Sequence, residues 1–144
     1  MGANDCLICD EFDNYDLFHS VRSDRRGGGV TVMVDKALGA CKIDSLCVMS
    51  EQFESCSTSF VVENRKYAIV GVYRPPSNNS ISLFNDAFFV KLAAETSTSS
   101  HVIVAGDFNI DMFGNNHSSH IGTFVNEFNS LHYFPVISEA TPCL

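Results

Sequence analysis

The chain has 144 residues, is 45% hydrophobic with 12 Phe and no Trp, and carries a formal net charge of −8 from nine Lys and Arg against 17 Asp and Glu. That length suits one domain or part of one, able to bury about 68 to 70% of its extended surface, and no apolar run reaches the ~18 residues that a membrane span requires. So few cations oppose tight nonspecific binding to a nucleic-acid backbone, which rests on counterion release at many basic contacts. A nuclease stays open, because carboxylates that hold a divalent cation make a site acidic by themselves.

Residues 1 to about 14 fit no clear element: Cys6-Leu7-Ile8-Cys9 could be a short strand, but Asp10, Glu11, Asp13 and Asp16 crowd it with negative charge. The start lacks the basic region and long apolar segment of a secretory leader, and Asp5-Cys6 does not suit myristoylation of Gly2. Cys6, Cys9, Cys41, Cys47, Cys56 and Cys143 are irregularly spaced. With an ample apolar core they are expected as reduced thiols in an intracellular protein, cytoplasmic or nuclear. The sequons Asn78-Asn79-Ser80 and Asn116-His117-Ser118 then count as chance matches.

Order is expected to begin near Tyr15-Asp16-Leu17-Phe18. Gly27-Gly28-Gly29 leads into Val30-Thr31-Val32-Met33-Val34, a strand. Leu38 to Asp44 reads as a connection and Leu46-Cys47-Val48 as a short strand. From Glu54 to Val62, Cys56, Thr58, Phe60 and Val62 share one parity and Ser55, Ser57 and Ser59 the other, which predicts a strand with one wet face. Glu63 to Lys66 is a polar turn, and Tyr67 to Tyr73 returns as a more buried strand. Arg74-Pro75-Pro76 ends it, since proline lacks the ladder donor and restricts its predecessor. Asn78-Asn79-Ser80 is expected to cap a helix over about 81 to 95, whose Ile81, Phe84, Phe88 and Leu92, with Ala87 beside them, recur at helical spacing. His101-Val102-Ile103-Val104-Ala105 reads as a buried central strand. Gly114 to Ser119 is loop. Ile121, Phe124, Val125, Phe128 and Leu131 form a second amphipathic stripe, and Phe134-Pro135-Val136-Ile137 reads as a short edge segment. No linker or repeat divides the chain.

The chemistry gathers where the central strand ends, at Gly106-Asp107-Phe108-Asn109-Ile110-Asp111. Packing alone does not ask for these polar groups there. If the chain stays extended, Asp107 and Asn109 point the same way and Phe108 and Ile110 face the core. Asp107 could hold Mg²⁺ or Mn²⁺, both partial to hard oxygen ligands, or orient a water; its plainer role is to cap a turn. Asn109 could steady a phosphoryl oxygen while remaining neutral, or simply form a turn. Asp111 is a supporting residue or a solvated one. Tyr73 also ends a strand, so it would share a rim with Asp107 and could donate to a phosphate oxygen, or be an ordinary aromatic of a sheet edge. Arg74 could contact a substrate backbone, as could the one basic cluster, Arg22, Arg25 and Arg26, although Asp24 interrupts it. The three glycines precede a strand and lack the lysine of a nucleotide-binding loop. His117, His120 and His132 lack the company of a zinc site.

Gly106-Asp107-Phe108-Asn109 resembles the G-D-F-N motif of the endonuclease/exonuclease/phosphatase superfamily. Arg26-Gly27-Gly28-Gly29-Val30, Val72-Tyr73-Arg74-Pro75-Pro76 and Ala140-Thr141-Pro142 agree with it in chain order. Together they are most similar to the endonuclease domain of non-LTR retrotransposons, over roughly residues 15 to 144, and an ordered set is more specific than any one motif. The resemblance implies an α+β, DNase I-like four-layer arrangement with two facing sheets and helices outside. The residues alone also permit a two-layer α+β domain.

It further implies a Mg²⁺-dependent phosphodiesterase that nicks DNA, with a reverse transcriptase downstream in the parent polyprotein. Asp107 would bind metal and activate water, Asn109 bind the scissile phosphate and Tyr73 assist it, with Arg74, Arg25 and Arg26 on substrate and Asp111 behind them. The family's early strands with an asparagine and a metal-binding glutamate have almost no room here, and Glu11 lacks the expected surroundings. Its later strands with an aspartate and a histidine fall beyond residue 144. A partial domain, weakly active or inactive, is therefore expected, with exposed sheet edges where strands are missing. The alternatives are a noncatalytic partner-binding remnant and a small-molecule phosphatase of the same fold.

Overall fold

In the computed structural model, which describes residues 12–22, 28–76, 81–111 and 119–137, the elements run β1 (Tyr15–Ser20), β2 (Val30–Asp35), β3 (Cys41–Lys42), β4 (Val48–Met49), β5 (Glu54–Val62), β6 (Arg65–Tyr73), α1 (Ile81–Thr96), β7 (His101–Asp107) and α2 (Ser119–Ser130). One hairpin sets the frame. Val62 pairs with Arg65, so the turn between β5 and β6 is only Glu63-Asn64, at φ 49° and 60°. Left-handed backbone at both central positions is what a two-residue type I′ turn requires, and its twist matches that of the strands. Arg65 and Lys66, expected in a longer turn, therefore belong to β6.

The main sheet has five strands in the order β3-β5-β6-β7, with β4 also on β5. β1 and β2 form a separate antiparallel pair. One face of the main sheet carries Val70 and Val72, packed with Leu46, Phe53, Phe84, Phe88, Phe89, Leu92 and Phe124. The other carries Cys56, packed with Val32 and Val34 of β2 and flanked by Phe18, Phe60 and Ile69. The chain is thus α+β, with both helices on one side of the five-stranded sheet and the two-stranded sheet on the other. Helices outside the small sheet, expected from the resemblance, do not occur among the described residues.

Burial changes three of the expected strands. The serine face of β5 is dry over its first half: Ser55 and Ser57 are fully buried and Ser59 is half-buried, and the hydroxyls of Ser55 and Ser57 donate to the Leu46 carbonyl at 2.6 and 3.3 Å. A hydroxyl with a fixed acceptor can replace an apolar group inside. Leu46 itself closes a 3-10 turn, Asp44–Leu46, rather than opening a strand. Among the described residues β7 ends its sheet instead of lying at its centre: Val102 and Val104 lean on the helical core, while Ile103 is 56% exposed. The apolar run reflects β propensity and one covered face, not burial on both.

The helices follow their stripes closely. Phe84, Phe88 and Leu92 are fully buried, joined by Phe89, whereas Ala87 is exposed. Phe124 of α2 is buried and Val125 turns outward. Phe124 meets Phe108 edge-on at a centroid distance of 5.3 Å and Phe128 at 5.1 Å, an arrangement that the ring quadrupoles favour. Phe134, Val136 and Ile137 form no strand and are exposed. Cys41, Cys47 and Cys56 are free thiols. Burial, then Cys47, pushes the Cys56 thiol up. Cys6, Cys9, Cys143 and the expected cap at 78–80 lie outside the described residues.

α1 is tied to β6 by an ion pair, Lys66 Nζ to Glu95 Oε1 at 2.7 Å; the Ser99 hydroxyl donates to the same oxygen. Burial raises the Glu95 carboxyl, but Lys66 and Ser99 outweigh it and leave the group below the usual carboxylate range. A lowered folded value means stability that is present above the unfolded pKa and lost as pH falls through the folded one. Glu95→Gln is expected to lower urea stability by about 1 kcal/mol at pH 7, a modest figure because Lys66 is solvent-screened. The gap to the wild type should shrink below about pH 4. A gap that persists unchanged at low pH would contradict this account.

Candidate functional site

The link through α1 makes β7 parallel to β6, so the two strands end on the same side of the sheet. Their register sets Tyr73 opposite Asp107, and the β5–β6 register sets Glu54 opposite Tyr73. Cross-strand partners project from the same face. Glu54, Tyr73 and Asp107 therefore form one lateral row at the rim, on the face that carries the small sheet. Ends of parallel strands are where α/β sheets commonly place ligands, because no strand continues to fill the space. Tyr73 is half-buried and Asp107 is exposed.

Two glycines let the backbones meet. At Gly71 a Cβ would lie 2.8 Å from Val30 Cγ1 and 3.1 Å from Val32 Cγ2, so the missing side chain is what seats β2 on the main sheet. At Gly106, with φ +152°, a Cβ would lie 1.8 Å from the Val72 carbonyl oxygen. That approach brings Asp107 into register with Tyr73, and only glycine permits it.

Beyond Asp107 the chain turns instead of staying extended. Asn109 is left-handed at φ 49°, a conformation that asparagine tolerates, and its N–H donates to Asp107 Oδ1 at 3.0 Å. Its side chain does not run parallel to that of Asp107: Nδ2 donates to the Arg74 carbonyl at 2.7 Å. Arg74 returns the contact. Its N–H donates to the Asp107 carbonyl at 2.9 Å, and Nη1 donates to the carbonyls of Phe108 and Asn109 at 3.1 and 3.2 Å. Arg74 is only 4% exposed, and that burial pulls its guanidinium below the usual value. The expected substrate contact is thus a buried clamp on the Asp107–Asn109 turn. Phe108 and Ile110 pack against the helical core as expected, so the turn is held from both sides.

Glu54 is the residue of the rim that sequence reading passed over. It is fully buried and takes an ion pair from Arg22 and the Gly29 N–H at 2.9 Å. A buried carboxylate persists where its oxygens are paired in this way. One signal could have found it: with a two-residue turn at Glu63-Asn64, counting back along β5 sets Glu54 against Tyr73. Arg22, first of the basic cluster, is therefore committed to Glu54. Arg25, Arg26 and Glu11 lie outside the described residues. Asp111 is exposed.

Among the described residues the rim offers only part of a donor set for Mg²⁺ or Mn²⁺. Among the described residues no group of three or more His, Cys, Asp or Glu converges. Glu54 is taken by Arg22 and Gly29, which leaves Asp107 with one carboxylate oxygen already accepting from Asn109. A single carboxylate is a partial share of the oxygen shell such a cation requires. His101 starts β7, about 20 Å along the strand from Asp107 at ~3.3 Å per residue, and its ring stacks on Tyr67 at 4.7 Å. Among the described residues no helix is long and apolar enough to cross a membrane. No family model matches the chain, and neither a curated protein nor a solved structure does.

Proposed function

We propose that the chain is a phosphodiester-handling domain of the endonuclease/exonuclease/phosphatase type, DNase I-like in fold and derived from the DNA-nicking endonuclease of a non-LTR retrotransposon. In this reading Tyr73 and Asp107 face the phosphate, Asn109 and Arg74 shape the turn that follows Asp107, and DNA is the substrate. The observation that supports it is the parallel register that sets Tyr73 against Asp107 at the strand ends, with the G-D-F-N order following directly. A phenol can donate to a phosphate oxygen as charge develops, and an exposed carboxylate beside it can orient water. One such pair supplies a small part of the preorganised field that fast cleavage requires. Activity as the chain stands is therefore weak.

Supercoiled plasmid incubated with the protein in Mg²⁺ or Mn²⁺ tests this. Slow accumulation of open circles is expected, reduced to background by Asp107→Ala and by about tenfold or more by Tyr73→Phe. Nicking that survives Asp107→Ala would overturn the assignment of the rim. A second reading, a noncatalytic partner-binding domain, is favoured by the engagement of Asn109 Nδ2 on Arg74 and of Glu54 on Arg22. Complete absence of nicking at high protein concentration decides for it.

A further inference from the structure

The outer edge of β7 has no neighbour among the described residues, since the sheet order ends there. Edge strands are ordinarily kept apart by lysine, proline or a bulge that turns the edge away. His101–Asp107 contains neither lysine nor proline and has Val102-Ile103-Val104-Ala105 at its centre. On the face turned from the helices, His101, Ile103, Ala105 and Asp107 are all exposed.

We propose that this edge is a self-pairing surface, occupied by β7 of a second copy of the chain, antiparallel about a two-fold axis at Val104. The backbone direction supports that register. The Asp107 carbonyl accepts from the Arg74 N–H at 2.9 Å, so the hydrogen-bonding groups of Asp107 face β6, and alternation along the strand turns those of Val104 outward. Val104 N–H and C=O then meet their own symmetry mates. The same register sets Ile103 opposite Ala105 of the second copy and His101 opposite Asp107 of the second copy.

This self-complementarity singles out a second copy as the occupant. An imidazole donor and a carboxylate acceptor stand three residues either side of Val104, on one face, so the symmetry generates two His–Asp contacts at once. Pairing joins the two main sheets into one and removes both exposed edges, as an isologous interface does. Pairing covers Asp107, so in the phosphodiesterase reading the paired form does not nick, while the pairing itself does not require that reading.

Sedimentation equilibrium of the full chain at sub-millimolar concentration tests the proposal. The expected mass is twice 15.8 kDa, in a concentration-dependent equilibrium. Ile103→Lys sets two ammonium groups beside the axis and His101→Glu opposes Asp107 of the second copy; each is expected to weaken association by about tenfold or more. The charge exchange His101→Asp with Asp107→His should restore it. Circular dichroism confirms that each variant is folded. A wild-type monomer at all concentrations, association unaffected by a folded Ile103→Lys, or an exchange that fails to restore pairing overturns the proposal.

Discussion

Gly106→Ala is expected to destabilise the fold by about 3–5 kcal/mol, the sum of a strained backbone and an overpacked contact. The backbone at φ +152° is one that side chains rarely adopt, and the added methyl would lie 1.8 Å from the Val72 carbonyl oxygen, 2.7 Å from its carbon and 2.9 Å from its nitrogen. All three are backbone atoms of β6, so no rotamer change relieves the clash. β7 must move away from β6, and the ladder that sets Tyr73 beside Asp107 opens. Urea unfolding measures the loss. Amide exchange should localise it, with protection falling at Arg74, whose N–H is held by the Asp107 carbonyl. A loss below about 1 kcal/mol would mean that the two strands separate without penalty, contrary to the tight approach.

Arg74→Ala is expected to lower stability by about 2–4 kcal/mol, because it leaves the Phe108 and Asn109 carbonyls without the guanidinium and opens a cavity. The backbone bonds of residue 74 remain, so β6 should still form. The turn over 107–109 is what loosens. Arg74→Lys should recover only part of the loss, since an ammonium on a flexible stem cannot hold two carbonyls as a planar fork does. Amide exchange at Asn109, whose N–H donates to Asp107, distinguishes this from general destabilisation. In Arg74→Ala it should accelerate beyond the global change. Full recovery by lysine would show that charge, not geometry, holds the turn.

Local pattern made much of the architecture legible. The strands at 30–34, 54–62 and 67–73 and both helices occur close to where periodicity places them, because each depends on side chains within one turn or one pleat. The candidate site was half legible. Tyr73 and Asp107 could be assigned to one rim because both end strands, but the turning of Asn109 could not, since it depends on Arg74 carbonyl chemistry across 35 positions of sequence. Arg74 looked like a surface cation after a strand; it is buried, with Nη1 on the carbonyls of Phe108 and Asn109. Glu54 was hidden for the same reason, as its partners, Arg22 and Gly29, come from the connection between β1 and β2, distant in sequence.

By itself the order of residues determined which segments extend, coil or turn, and which side of each is apolar, because those preferences arise from dihedral sterics and the spacing of side chains. Only tertiary structure decided that β7 ends the sheet among the described residues, that Ser55 and Ser57 are dry and that a buried arginine and a buried glutamate brace the rim. Burial and partnership are properties of the surfaces that meet, and a one-dimensional pattern specifies that a face is apolar without specifying what will cover it.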